Sequence, residues 1–169
     1  GSEKFGAVEV LVNNTGGPPA GPFDALSDAD WENAVNLTLM SAIRASRAVL
    51  PAMRERRWGR IVNIGSASAR AGQPFLAAYS ASKAALSTLT RNSGFALMRN
   101  RVRVNQLDIG WMLSDHEKTI QLQESGDPDW QAKAEAGLPF GRLLDPAEVA
   151  KAVLWLASDD SGMMTGSVV

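Results

Sequence analysis

The 169-residue sequence predicts an α/β domain in which a parallel sheet is covered by helices on both faces. Short, valine-rich apolar runs alternate with long helical patterns, as parallel strands joined by crossover helices do. The apolar runs are nearly continuous, as strands that are buried on both faces require. No internal repeat or linker divides the chain, so residues 1–169 are predicted to form a single domain.

The first predicted strand is AVEVLVNN (7–14), and the polar loop NNTGG follows it. A long helix then covers 28–54, capped by Ser27 or Asp28. Pro51 is expected to bend or stop this helix near its end.

Further strands and helices alternate along the rest of the chain. Pro146 suits the first turn of the last helix, and Asp145 suits its cap. One or two short helices are expected within 110–127, and the terminal TGSVV begins another strand. The remaining predicted elements are a strand at 60–65, a helix at 77–98, a strand at 102–109 and a helix at 146–158.

Composition narrows the classes of function. Lys and Arg total 17 against 18 Asp and Glu, so no net field favours nucleic acid. The chain has no cysteine and one histidine, His116, and we expect neither a disulfide nor a metal site. No apolar run is long enough to span a membrane, and a cytoplasmic protein is expected.

The polar loops mark a candidate site. NNTGG, GSASA and GWMLSD each follow a predicted strand. Open parallel sheets bind ligands beyond the carboxyl ends of their strands. We therefore expect these three loops to lie together at one edge of the sheet.

Tyr79 and Lys83 are four residues apart on a predicted helix, so their side chains share a face. An unperturbed tyrosine has a pKa of about 10, and a nearby cation favours the phenolate. The pair therefore suits proton transfer. The alternative is a half-buried tyrosine beside a surface lysine, with no chemical role.

Six segments, in this order and spacing, resemble the second two-thirds of a short-chain dehydrogenase/reductase. They are LVNNTGG, WENAVNLTL, GRIVNIGSASA, YSASK, VRVNQLDIGWMLSD and PFGRLLDPAEVAKAVLWLASDDSGMMTG. The resemblance implies a Rossmann-like, doubly wound parallel sheet. It also implies an NAD(P)-dependent oxidoreductase that interconverts a carbonyl and a secondary alcohol.

The resemblance assigns four catalytic residues. Tyr79 is the acid/base, and Ser66 donates a hydrogen bond to the reacting oxygen. Lys83 lowers the pKa of Tyr79 and holds the ribose of NAD or NADP, so both residues also face the cofactor. Asn36 positions a water beside Lys83. Ser68 is a lesser candidate, and His116 is interpreted as a surface or substrate-loop residue.

The remaining cofactor contacts follow from the same resemblance. Asn14, Thr15 and Gly16 occupy the segment beside the adenosine ribose, with threonine in place of the usual alanine. Met112 and Ser114 occupy the positions that meet the nicotinamide carboxamide.

The sequence departs from the family pattern in two ways. Ile109-Gly110 replaces the usual Pro-Gly after the third strand, and Trp111 is expected to shape a substrate wall. The first βαβ half, with its glycine-rich loop, is absent from the 169 residues, and the last strand is cut short. The sheet is therefore expected to be an incomplete, truncated version of the fold.

Function and assembly are predicted at the level of a class. The substrate would be a small carbonyl or alcohol: a 3-oxoacyl thioester, a sugar or polyol, a steroid or a small ketone. The alternative is a truncated, non-catalytic binding or interaction module. Residues such as Leu37, Leu86 and Phe95 add apolar surface to the long helices 28–54 and 77–99, which predicts a homodimer or homotetramer.

Overall fold

The computed structural model describes residues 6–17 and 20–169. Its strands are β1 (Val10–Asn13), β2 (Gly59–Ser66) and β3 (Val102–Ile109). Its α-helices are α1 (Asp28–Val35), α2 (Ser41–Glu55), α3 (Ser68–Ala71), α4 (Ala77–Leu97), α5 (Asp115–Ser125), α6 (Trp130–Ala136) and α7 (Pro146–Ala157). A π-helical turn, Asn36–Met40, joins α1 to α2, and 3₁₀ turns cover Met98–Asn100 and Asp159–Ser161.

The sheet is parallel, with β2 between β1 and β3. Asn13 lies opposite Asn63, and Ser66 lies opposite Ile109. The end of the chain runs beside β3, where the Asp108 N–H donates to the Val169 carbonyl at 2.7 Å. The predicted α/β class and parallel sheet are confirmed.

Two predicted helix starts are stabilised by reciprocal caps. The Ser27 hydroxyl accepts the Asp30 N–H, and the Asp30 carboxylate accepts the Ser27 N–H, so Ser27 rather than Asp28 is the cap. Asp145 and Glu148 make the same exchange at α7. Such boxes satisfy backbone donors that have no partner in the first turn.

Four details differ from the expectations. β1 is shorter than the predicted 7–14. The predicted helix 28–54 is interrupted by the π turn, and it continues past Pro51 to Glu55. Continuation is possible because a proline removes one backbone donor, and this one lies within five residues of the helix end. Helix α3 was not predicted at all.

The two faces of the sheet carry their polar residues at opposite ends. Toward α2 and α4, the amino end of the sheet is apolar, and Ile61 and Val104 pack there against Met53 and Leu97. The carboxyl end of this face is polar and consists of Asn13, Asn63, Gln106 and Asp108. Toward α7 the order is reversed: the arginines Arg60 and Arg103 lie at the amino end, and Val62, Ile64, Leu107 and Ile109 contact Leu156 nearer the carboxyl end.

The outer edge of β1 is apolar and exposed. Val10 and Val12 are 41% and 42% exposed. They line a groove of about 450 Å³ that continues between β1 and α7 toward Asn14 and Met112. The carboxyl end of the sheet is thus reached along an apolar channel.

The outward faces of the long helices are less apolar than expected. Leu86 is 1% exposed and belongs to the core, so the expectation that it adds outer surface is wrong. Phe95 and Leu37 are 76% and 37% exposed, as expected. None of the helices in the described ranges combines the length and hydropathy that crossing a membrane requires.

Candidate active site

Ser66, Tyr79 and Lys83 come together where β2 ends and α4 begins. Ser66 is the last residue of β2, and Tyr79 lies in the first turn of α4. The start of α4 is tied to the loop after β1, because Ala77 donates its N–H to the Gly21 carbonyl. The three side chains predicted to act together therefore share the carboxyl end of the sheet.

Tyr79 and Lys83 face the same side of α4. The Lys83 ammonium lies 5.5 Å from the centre of the Tyr79 ring. Lys83 is 1% exposed, and its Nζ donates to the Ile64 carbonyl at 2.6 Å. The lysine is therefore buried, and the expectation of the alternative that it lies on the surface is wrong.

Burial sets the pKa of Lys83. Desolvation is the largest cause and lowers the pKa to about 8, while the carboxylate of Asp108 acts in the opposite direction. A buried amine loses the hydration that favours its charged form. At neutral pH Lys83 is still a cation, but a proton can leave it at mildly alkaline pH.

Burial also raises the pKa of Tyr79, and this is its largest cause. Hydrogen bonding with Ser66 lowers the pKa, whereas the charges of Asp108 and Glu117 raise it further. The sequence predicted that Lys83 would lower this pKa. The structure gives the opposite direction, because burial and two carboxylates outweigh the hydrogen bond.

Ser66 is held by its neighbour Ser68. The two hydroxyl oxygens are 2.9 Å apart, and the Ser68 N–H donates to the Ser66 hydroxyl at 3.2 Å. Ser68 is 4% exposed and begins α3. The unpredicted helix thus fixes the orientation of the Ser66 hydroxyl next to the phenol.

Asn36 stands apart from the other three. It is exposed, and its side-chain oxygen accepts a hydrogen bond from Arg44 at 3.2 Å. Its carbonyl accepts the N–H of Ser41, five residues on, which closes the π turn. π turns often occur at functional positions. Here the turn lies against α4, but the Asn36 side chain points to Arg44.

The predicted cofactor contacts lie around the groove. Asn14 and Met112 line it together with Ile64 and Ile109. A Cβ on Gly17, in the same loop, would lie 3.9 Å from the Tyr79 ring. The loop after β1, where Thr15 and Gly16 also lie, therefore comes close to the phenol.

The Ser114 hydroxyl is already engaged. It caps α5 by accepting the Glu117 N–H at 3.1 Å. Trp111 donates from its indole to Glu117 at 2.6 Å and lies 6.2 Å from the Trp130 ring. The two aromatic rings lie near each other, and the role of Trp111 in a substrate wall stays a prediction.

Two residues of the site, Gln106 and Asp108, were not singled out from the sequence. The Asp108 side chain is 6% exposed, and its carboxylate accepts hydrogen bonds from Gln106 at 2.6 Å and Arg70 at 3.1 Å. The signal was present in β3, where Gln106 and Asp108 alternate with apolar neighbours and so share a face.

Comparison with known proteins places this chain in a known family. A family model described as enoyl-(acyl carrier protein) reductase matches residues 2–169. The 3-oxoacyl-(acyl-carrier-protein) reductase FabG of Vibrio harveyi is 32% identical over 168 residues, which cover 99% of this chain and 66% of the relative. The acetoacetyl-CoA reductase of Cupriavidus necator is 34% identical over 164 residues, which cover 97% of this chain and 64% of that relative.

A solved structure agrees in fold. An actinorhodin polyketide ketoreductase variant with NADPH superposes with a TM-score of 0.92 at 32% identity, covering 99% of this chain and 67% of that one. The chain spans slightly less than two thirds of the two curated reductases, at 66% and 64%. The chain belongs to the short-chain dehydrogenase/reductase family.

Proposed function

We propose that the protein is an NAD(P)-dependent oxidoreductase that interconverts a small carbonyl compound and a secondary alcohol. The carrying observation is the buried Lys83 ammonium 5.5 Å from the Tyr79 ring, with Ser66 at the end of the neighbouring strand β2. A phenol, an ammonium and a hydroxyl at one edge of a sheet can handle the proton of a single oxygen atom.

Each side chain has a distinct role in this proposal. Tyr79 gives a proton to the carbonyl oxygen, or takes one from the alcohol. Ser66 donates to the same oxygen as its charge develops. Lys83, charged below a pKa of about 8, is the cation beside the Tyr79 phenol as the proton moves, and it holds the ribose hydroxyls.

The residues present fit the nicotinamide end of NAD or NADP. Asn14 and Met112 line the groove beside β1, and Lys83 offers a donor-rich ammonium at the carboxyl end of the sheet. When bound, the nicotinamide supplies or accepts the hydride. Asn36 is proposed to support Lys83 through its backbone and a water, because its side chain is occupied by Arg44.

The names of the relatives guide the choice of substrate. One relative is named for a 3-oxoacyl carrier-protein thioester and another for acetoacetyl-CoA. A 3-oxoacyl thioester is therefore the first substrate to test, with NADPH before NADH because the superposed ketoreductase holds NADPH. Sugars, steroids and small ketones follow.

The test is a nicotinamide absorbance assay on the full-length protein and its Tyr79→Phe variant. Removing the acid/base should lower kcat by about 10²–10⁴-fold. Calorimetry gives the cofactor affinity of each protein, and single-turnover rates at saturating cofactor then separate chemistry from binding. Turnover by Tyr79→Phe at the wild-type rate would reject Tyr79 as the acid/base.

A non-catalytic binding module is the second candidate. The observation that favours it is Asn36, whose side chain lies on Arg44 rather than with the other three residues. Such a module needs no turnover with any carbonyl substrate. If the full-length protein binds NADPH or NADH and reduces none of the substrate classes above, the binding module is the better account.

Assembly is proposed as a homodimer or homotetramer. The support is the exposed apolar surface on the long helices, where Phe95 is 76% exposed and Leu37 is 37% exposed. Light scattering of the full-length protein at micromolar concentration tests this, and a monomer would reject it. Phe95→Glu should shift the equilibrium toward the monomer.

A further inference from the structure

Asp108 is a buried carboxylate close to the proposed proton-transfer pair. Its side chain is 6% exposed at the carboxyl end of β3. Buried carboxylates are costly unless they are paired and hydrogen-bonded. The roles proposed above for Ser66, Tyr79 and Lys83 make no use of this charge.

The sheet is shaped to admit this carboxylate beside Lys83. Asp108 lies opposite Gly65 in the register of β2 and β3. A Cβ on Gly65 would overlap the Asp108 carboxylate and the Gln106 amide, so only glycine leaves room for them. The neighbouring residue, Ile64, provides the carbonyl that accepts from Lys83. The carboxylate therefore occupies the space next to the lysine's anchor point.

A chain of buried hydrogen bonds fixes the orientation of Asp108. Gln106 is 0% exposed and donates to Asp108 at 2.6 Å and to Ser87 at 2.7 Å. The Thr90 hydroxyl donates to the side-chain oxygen of Gln106 at 3.1 Å and accepts from the Asn63 side chain at 2.8 Å. Because these partners lie on α4 and β2, the carboxylate cannot turn away from the site without breaking them.

Arg70 is the cationic partner of Asp108. Its Nε donates to the carboxylate at 3.1 Å, and its terminal nitrogen donates to the Val168 carbonyl at 2.9 Å. The Arg70 side chain is 59% exposed, so water screens its charge more than that of the buried carboxylate. Part of the negative charge of Asp108 therefore remains effective at the site.

We infer that Asp108 is a positioning residue that sets the electrostatic environment of the Tyr79–Lys83 pair, and that Arg70 attenuates it. The catalytic meaning of this role rests on the function proposed above, whereas the electrostatic effect does not. Asp108 keeps Lys83 charged in its buried position and opposes formation of the Tyr79 phenolate. The working pH then depends on how strongly Asp108 acts on Tyr79 and on Lys83.

The sign follows from the groups that face Tyr79. These are Ser66 on β2, Asp108 on β3, Glu117 on α5 and Lys83 on α4 itself. The charge of Asp108 raises the pKa of both Tyr79 and Lys83. Neutralising it should lower both, and removing Arg70 should raise the pKa of Tyr79.

The chain contains one tyrosine, which makes the measurement specific. The absorbance of the tyrosinate is followed against pH in the full-length protein, and the titration of Tyr79→Phe is subtracted to remove any other tyrosine. We expect the midpoint of Asp108→Asn to fall by roughly half a pH unit or more. Arg70→Gln should move it in the opposite direction.

Asp115→Asn is the matched control, because the Asp115 side chain lies on the surface and bonds Lys118. Its midpoint should equal that of wild type. Circular dichroism at each pH confirms folding. If Asp108→Asn does not fold, Arg70→Gln still decides, since Arg70 is largely exposed. Unchanged midpoints in the folded variants, or shifts in the same direction for both, would overturn the inference.

Activity adds a second readout. The pH profile of kcat/KM should shift to lower pH in Asp108→Asn and to higher pH in Arg70→Gln. Opposite tyrosinate shifts without turnover in any variant would keep the electrostatic role and reject the oxidoreductase. Turnover with no shift of the tyrosinate midpoints would keep the oxidoreductase and reject the electrostatic role.

Discussion

The sheet buries positive charge in two places, and the two are built differently. Arg60 and Arg103 are paired in register at its amino end, on the face toward α7. Lys83 lies at its carboxyl end, on the opposite face. All three residues are at most 7% exposed. What separates the two sites is how many partners each cation has.

The terminal nitrogens of the arginines have structural acceptors, whereas the buried Nε atoms of Arg60 and Arg103 have no hydrogen-bond partner among the described residues. Arg103 donates to the Ser161 hydroxyl at 2.5 Å and to the Ser158 carbonyl at 2.6 Å. Arg60 donates to the Asp159 carboxylate at 2.8 Å and lies 4.3 Å from the Trp58 ring. These contacts link the end of α7 to the sheet, so the two arginines stabilise the fold.

Lys83 has a single hydrogen-bond acceptor among the described residues, the Ile64 carbonyl. An ammonium has three N–H donors, so most of the hydrogen-bonding capacity of Lys83 is unused. Its pKa is lowered to about 8 by burial. A buried amine that lies beside a phenol and has one acceptor is a candidate for a functional role, whereas the two arginines link the end of α7 to the sheet.

The largest expected effect is on turnover in Lys83→Met. We expect kcat/KM to fall by about 10²-fold or more, because the phenolate loses its cation. The free energy of unfolding at neutral pH should not fall, since methionine needs no hydration. Equilibrium denaturation and the nicotinamide assay measure the two quantities. Unfolding at lower denaturant than wild type would show that the lysine is structural.

Arg103→Met should reverse this pattern. It leaves the Ser158 carbonyl and the Ser161 hydroxyl without their donor, and we expect a loss of about 2–3 kcal/mol in unfolding free energy. The value of kcat/KM per folded molecule should stay within about twofold of wild type. A loss of turnover comparable to that of Lys83→Met would remove the distinction between the two sites.

A smaller effect is expected in the pH dependence of stability. The folded pKa of Lys83 lies below its unfolded value of 10.5, so the unfolded chain holds more protons between pH 8 and 10.5. Stability should rise with pH in this window, by on the order of 2 kcal/mol. Lys83→Met should lack this rise. Denaturation midpoints at several pH values, compared between the two proteins, give the difference.

Local sequence patterns predicted the elements better than the contacts between them. The strand at 102–109 and the helix that starts at Pro146 agree with the structure, because burial periodicity and the Asp145 cap are local signals. The π turn at Asn36 was missed, since it lies against α4 and such contacts are not local signals.

The site shows the same division. Spacing on one helix placed Tyr79 and Lys83 on a common face, and the structure does so. The raised pKa of Tyr79 was not foreseen, because it depends first on burial and then on the charges of Asp108 and Glu117, which come from β3 and α5. Only the register of β2 and β3 brings the Asp108 carboxylate over Gly65.

The most direct test of the central claim is the pKa of the Lys83 ammonium itself, followed by NMR of the side-chain nitrogen and assigned with Lys83→Met. The account expects a midpoint near 8. A midpoint near 10.5 would mean that Lys83 is solvated like a surface residue. The contrast with the buried arginines, and the active site built on it, would then be wrong.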